Sequence, residues 1–231
     1  MWRSSQLPTA GGTLAKIDNE ASFHAALAQG INLMLGSGFS VLAQDVDNEA
    51  LPVGDVLAQE LRERYELDEQ QDLTLPQLYS IIAARDREAA DVFLTRRFTV
   101  GSFDPRYLVL LRLNVRAIFT TNIDNLPQNI YARSLDHYLN DLATRGPVYK
   151  DKAAVDLLTL HGSVLDDSRP YRFTSLEVAS SFDADPTYWQ VFRQRLTAAP
   201  TLFWGYSLSD AAALEALQKG DVASGTKEKL G

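Results

Sequence analysis

Ile31-Asn32-Leu33-Met34-Leu35-Gly36-Ser37-Gly38-Phe39-Ser40 is a short, largely apolar run that breaks abruptly into small and polar residues. The same design returns three times. Ala117-Ile118-Phe119 runs into Thr120-Thr121-Asn122-Ile123-Asp124, Leu157-Leu158-Thr159-Leu160 into His161-Gly162-Ser163, and Thr201-Leu202-Phe203-Trp204 into Gly205-Tyr206-Ser207. Short apolar runs bounded by turn residues are the pattern of strands buried on both faces of a parallel sheet. Helix-like stretches separate them, so the expected fold is α/β: a Rossmann-like open parallel sheet flanked by helices. Such sheets bind ligands outside the carboxyl ends of their strands. The four polar clusters are therefore expected to gather at one edge.

Working outward, core strands are expected at 31–35, 116–120, 155–160 and 201–205, with a short strand at 171–173. Asn19 can cap a helix over 20–29. Between the first two core strands lies a helical insertion, about 53–113, read as helices at 53–65, 75–85, 88–98 and 105–113. Further helices are expected at 126–131, 135–143, 186–198 and 210–218. An acidic loop (Asp45, Asp47, Glu49) follows the first strand and is long enough to cover a ligand. Residues 1–16 read as an N-terminal arm, 17–218 as the domain, and 219–231 as a disordered polar tail.

At 231 residues and 45% hydrophobic content, the chain can bury a real core as one domain. The net charge of −8 argues against nucleic-acid binding through the whole surface, leaving a local basic patch or a partner for that role. The chain has no cysteine, which excludes disulfides, thiol chemistry and thiolate zinc sites and suits a cytoplasmic protein. No run reaches the ~18–20 apolar residues of a membrane span.

Each cluster has a plain and a chemical reading. Gly36-Ser37-Gly38 is either a simple turn or a place where a phosphate meets unpaired N–H groups; the full G-x-G-x-x-G is broken because position 41 is Val. In Thr120–Asp124, Asn122 or Asp124 can cap the following helix, yet capping explains one polar residue better than four. Asn122 both donates and accepts, as positioning a water or a ribose hydroxyl requires. His161, one of three histidines, is either a satisfied core histidine or an acid/base working near neutral pH. Ser207 and Gly205 suit a phosphate or ribose. A Ser-His-Asp triad from Ser163 or Ser207, His161 and Asp124 lacks the G-x-S-x-G elbow. No histidine–carboxylate spacing resembles a metal site.

Taken in order, the four clusters resemble the fingerprints of the sirtuin family, over roughly 31–217. The Thr-Thr-Asn-x-Asp form and the Gly-Tyr-Ser-x-x-Asp ending resemble its divergent prokaryotic branch, found in antiphage-defence NAD hydrolases. The resemblance implies NAD as ligand. Gly36, Ser37 and Gly38 would meet its phosphates, Asn122 and Asp124 would sit by the nicotinamide ribose and carboxamide, Ser207 would help hold the dinucleotide, and Ser40, Thr121 and Gly205 would complete the cofactor-binding set. His161 would be the general base. The sequence departs from the family in two places. The absence of cysteine removes the zinc module beside which deacylases thread their substrate. Of the Gly-Ile-Pro-Asp-Phe-Arg stretch only Leu51-Pro52 remains, so the cover of the nicotinamide is unassigned.

The implied function is an NAD glycohydrolase that depletes NAD in antiphage defence. The alternatives are an NAD-dependent deacylase or ADP-ribosyltransferase, and a nucleotide-sensing module without turnover. A homo-oligomer or a defence partner is expected to control it, through apolar surface on the insertion and on the bulky face of 186–198. The expected sheet continues beyond the last core strand in the family, so the chain reads as a fragment of a longer protein.

Overall fold

A computed structural model describes residues 18–67, 72–147 and 151–206. The expected arm, the helix at 210–218, the tail and Ser207 lie outside the described residues. The chain enters through α1 (Glu20–Gln29) and β1 (Ile31–Leu35), then β2 (Ala43–Asp45), α2 (Gly54–Arg64) and α3 (Leu75–Phe98). It continues through β3 (Val100–Phe103), a 3-10 helix (Pro105–Arg112), β4 (Val115–Thr120), α4 (Leu126–Tyr131), β5 (Tyr138–Asp141), α5 (Leu142–Arg145) and β6 (Ala154–Thr159). Then follow α6 (Ser175–Ala184), α7 (Pro186–Ala198) and β7 (Thr201–Trp204).

β1, β4, β5, β6 and β7 form one parallel five-stranded sheet in the order β5-β6-β4-β1-β7. All five residues of β1 are buried, as a central parallel strand requires. Its alternation sorts the core into two faces. Leu33 and Leu35 pack with Ile118 and Leu157 on one side, and Met34 with Phe119, Leu158 and the α7 residues Trp189 and Phe192 on the other. Each such side chain contributes about 1.5–3 kcal/mol on leaving water.

The insertion is present, and it makes a third core. Leu57 and Leu61 of α2, with Tyr79, Ile82 and Leu94 of α3, pack on Ile123, Val164 and Tyr171, which belong to the segments after β4 and β6. The insertion thus sits over the carboxyl edge of the sheet. The two helices expected at 75–85 and 88–98 form one element broken at Asp86, whose φ of −156° is not helical.

Several expectations are corrected. The helix expected at 135–143 is β5 followed by the short α5. The segment 171–173 is not a strand, and α6 stands where no element was expected. β2, which precedes the expected insertion, and β3 within it pair antiparallel as a separate two-stranded sheet. The acidic loop is tied down rather than free to cover a ligand: buried Asp45 meets Arg97 at 2.7 Å, and Asp47 accepts from Arg96 Nε at 2.8 Å. Asn19 begins α1 in a left-handed conformation, without a side-chain cap. The bulky face of α7 is not surface, because Tyr188, Trp189 and Phe192 are buried against the sheet.

Candidate functional site

Hydrogen bonds stitch the strand ends together. Thr121 N–H donates to Leu35 O at 3.2 Å, Leu160 N–H to Thr120 O at 2.8 Å and Val164 N–H to Ile123 O at 2.8 Å. On the other side of β1, Gly36 N–H donates to Trp204 O at 3.1 Å and Gly38 N–H to Gly205 O at 2.9 Å. Gly36, Ser37, Gly38, Ser40, Thr121, Asn122, Asp124, His161 and Gly205 therefore share the carboxyl edge. β1 lies there between β4 and β7, so the strand order changes direction at the β1–β7 pair, where open sheets form their crevice.

The turn after β1 is one 3-10 turn, Ser37–Phe39. Gly205 crosses it backbone on backbone. With φ at +63°, a Cβ there would lie 2.0 Å from Phe39 N and 2.3 Å from Gly38 C, so only glycine fits. The glycines therefore serve the crossing of two turns. The unpaired N–H groups expected at Gly36 and Gly38 are not found, since both donate to the β7 turn. Phe39 wedges between Tyr107 and Trp204, with ring centroids 5.1 and 5.2 Å away. The Tyr107 hydroxyl, from the 3-10 helix of the insertion, donates to Phe39 O and accepts from Leu42 N–H.

The polar run after β4 is held from within. Thr120 Oγ1 accepts from Asn122 N–H at 2.9 Å. Asn122 Nδ2 donates to Gly36 O at 2.9 Å and to Ser40 Oγ at 3.0 Å. Asp124 accepts from Ser40 Oγ at 2.7 Å with one oxygen and from Leu126 N–H at 2.9 Å with the other. The helix-capping reading of Asp124 thus holds for half of its carboxylate. Burial pushes its pKa above the usual carboxylate value, against the pull of Ser40, the Leu126 N–H and the Asn122 amide.

His161 follows β6 and is buried. Its carbonyl accepts from Arg172 N–H at 3.0 Å, which lays the segment 171–173 alongside it. Phe173 faces the imidazole at 6.4 Å between ring centroids, and the Tyr171 hydroxyl meets Thr95 Oγ1 of α3 at 2.8 Å. The histidine thus stands beneath the insertion, against an aromatic wall. The serine-triad reading gains no support: Asp124 is taken up by Ser40 and Leu126, and Ser163 Oγ accepts from Leu165 N–H at 3.2 Å.

Residues that the sequence did not single out hold this edge. Arg97, nearly buried, gathers Asp45 at 2.7 Å, Glu60 at 2.9 Å and Ala50 O at 2.8 Å, joining α2, α3 and β2. Tyr107 clamps the first turn. Their partners are tens of residues away, so no spacing announces them. Among the described residues, no group of three or more His, Cys, Asp or Glu side chains could hold a metal ion. No described helix is long and apolar enough to cross a membrane.

A parallel sheet with glycine-crossed turns at its switch point, and an Asn–Ser–Asp cluster beside a strand-end histidine, is an α/β domain of Rossmann type. Residues 116–229 match the SIR2-like domain family, and the chain carries a sirtuin-like domain. The match opens in β4 and takes in the Asn122, His161 and Gly205 clusters; β1 and its glycine turn precede it. No curated protein matches the chain. SIR2-like domains bind NAD, which gives the chain an NAD-related function in general.

Proposed function

We propose that the chain is an NAD glycohydrolase. Water attacks C1′ of the nicotinamide ribose, the N-glycosidic bond breaks, and nicotinamide leaves as a neutral molecule because the ring starts cationic. The water's proton passes to His161, and the products are ADP-ribose and nicotinamide. No acid is needed at the leaving group, so the protein must fix geometry, exclude bulk water and supply one base. Asn122 positions the water or the ribose, and the turns of Gly36, Ser37, Gly38, Thr121 and Gly205 flank the dinucleotide.

The observation that carries this reading is the pairing of two neighbouring strand ends. β4 and β6 deliver Asn122 and His161 side by side, stitched at 2.8 Å on each side of the polar run and roofed by the insertion. In this reading the insertion takes the place of the missing nicotinamide cover. The absence of cysteine favours water over an acyl-lysine as acceptor. In this reading the activity serves antiphage defence and is held off by an oligomer or a partner. Val41, Leu42, Leu108 and Val109, exposed where the first turn meets the insertion, are the apolar surface for such a contact.

The test is to incubate the chain with NAD and resolve nicotinamide, ADP-ribose and modified protein. His161→Ala and Asn122→Ala should each lower cleavage by at least ~10²-fold, with thermal midpoints within a few degrees of the parent. Full activity of the His161 variant rejects the base. ADP-ribosylated or deacylated protein in place of free ADP-ribose turns the reading to a transferase or deacylase.

A further inference from the structure

With Asp124 ionised, the bonds around Ser40 admit one assignment of hydrogens. Gly36 O only accepts, so Asn122 must turn its amide nitrogen toward it at 2.9 Å, and the same nitrogen lies 3.0 Å from Ser40 Oγ. An ionised Asp124 also only accepts. Its Oδ2, 2.7 Å from Ser40 Oγ, takes the hydroxyl hydrogen, which makes Ser40 Oγ an acceptor for Asn122. The other Asp124 oxygen holds Leu126 N–H at 2.9 Å. Ser40 and Asp124 are 3% and 2% exposed, so neither offers a face to a ligand. The open end of the chain of bonds is the amide oxygen of half-buried Asn122, to which none of the described residues donates.

We propose that Asp124 and Ser40 are positioning residues and not ligand contacts. Acting through Ser40, Asp124 locks the Asn122 amide with Oδ1 outward, so the site presents an acceptor to a hydroxyl group or a water. What that acceptor meets rests on the NAD-cleavage reading; the lock itself does not. Asp124→Asn is the sharpest probe, because it keeps shape and reverses polarity. Leu126 N–H claims the new amide's oxygen, so its NH2 faces Ser40 and donates. The Ser40 hydrogen is then driven toward Asn122, where it confronts the Asn122 NH2.

The experiment uses the full chain and two readouts. The Asn122 side-chain amide is identified by its absence from the nitrogen–proton NMR spectrum of Asn122→Asp. In the parent its protons should exchange slowly with solvent; in Ser40→Ala and Asp124→Asn they should exchange at least ~10-fold faster. In NAD cleavage, Asp124→Asn should lower kcat by ~10-fold or more and leave KM within about threefold, the pattern of an interaction realised in the transition state. Unchanged amide exchange in both variants overturns the lock. Faster exchange with kcat retained overturns the positioning role. If the parent releases no nicotinamide, the glycohydrolase reading fails, and the amide exchange still decides the lock.

Discussion

The two ends of the sheet each bury a polar cluster, and the clusters are built in opposite ways. At the amino edge Asp156 is buried in β6, with Arg195 Nε on one oxygen at 2.6 Å and Asn140 Nδ2 on the other at 2.9 Å. Beside it, Asn32 of β1 donates to Arg195 O at 2.8 Å and Ala199 O at 3.1 Å, tying the last carbonyls of α7 to the sheet. That cluster answers charge with charge and helix end with amide. At the carboxyl edge, Asp124 is as buried, but among the described residues its two oxygens meet a hydroxyl and a backbone N–H, with the Asn122 amide close by, and no cation. A buried carboxylate without a countercharge is costly unless hydrogen bonds compensate it. The amino edge is explained by the fold it fastens. The carboxyl edge holds more polar groups than fastening needs.

The largest expected effect breaks the carboxyl edge. Gly205→Ala must both hold a left-handed conformation and push the turn of Gly38 and Phe39 away, since that Cβ would overlap their backbone. Strain and overpacking together should cost roughly 3–5 kcal/mol. Urea unfolding measures it, and a loss under 1 kcal/mol would show that the two turns do not cross as described.

Next comes the amino edge. Asp156→Ala leaves Arg195 and Asn140 without their acceptor. Arg195 is about a third exposed, its side chain at 32%, so the loss should be about 2–3 kcal/mol, below that of a fully buried pair. NAD cleavage per folded molecule should stay at the parent level. A fall of tenfold or more would show that the edges are coupled and blur the division between fastening and function.

This division was only half legible in the sequence. Four core strands were readable to within about a residue, because buried parallel strands are short apolar runs with polar ends. β5 was not: Asn140 is its one buried residue, so no apolar period marks it. α6 did carry a signal, the capping box Thr174-x-x-Glu177, in which each side chain bonds the other's backbone N–H at 3.0–3.1 Å. At the site, the gathering of Gly36, Asn122, His161 and Gly205 follows from parallel topology and could be reasoned. The partner of each side chain could not. Ser40 meets Asp124 across 84 positions and Arg97 meets Asp45 across 52, and such choices are made by packing, not by spacing. Spacing likewise leaves the glycine turn open between a plain turn and a phosphate seat, whereas packing gives the N–H groups of Gly36 and Gly38 to Trp204 and Gly205.

The smallest effect is the most selective, and it is one of pH. Burial raises the folded-state pKa of Asp124 above the ~3.9 of an exposed aspartate, so the folded protein takes up this proton before the unfolded chain does. Stability from this group is then fully present below the unfolded pKa and is lost as pH rises through the folded one. Asp104 has the opposite sign: Arg106 holds it down to about 2, and its contribution is lost as pH falls toward that value. A titratable neighbour, Tyr107, has its own pKa raised by burial, with Asp124 adding to the rise, and stays neutral throughout. Subtracting Asp124→Asn from the parent cancels Asp104 and Tyr107 and isolates Asp124. The parent should gain stability relative to that variant as pH drops from neutrality toward ~4. Urea unfolding of both proteins across that range gives the difference. A flat difference would mean that hydrogen bonds compensate the burial of Asp124 in full, and the contrast between the two edges would then rest on geometry alone.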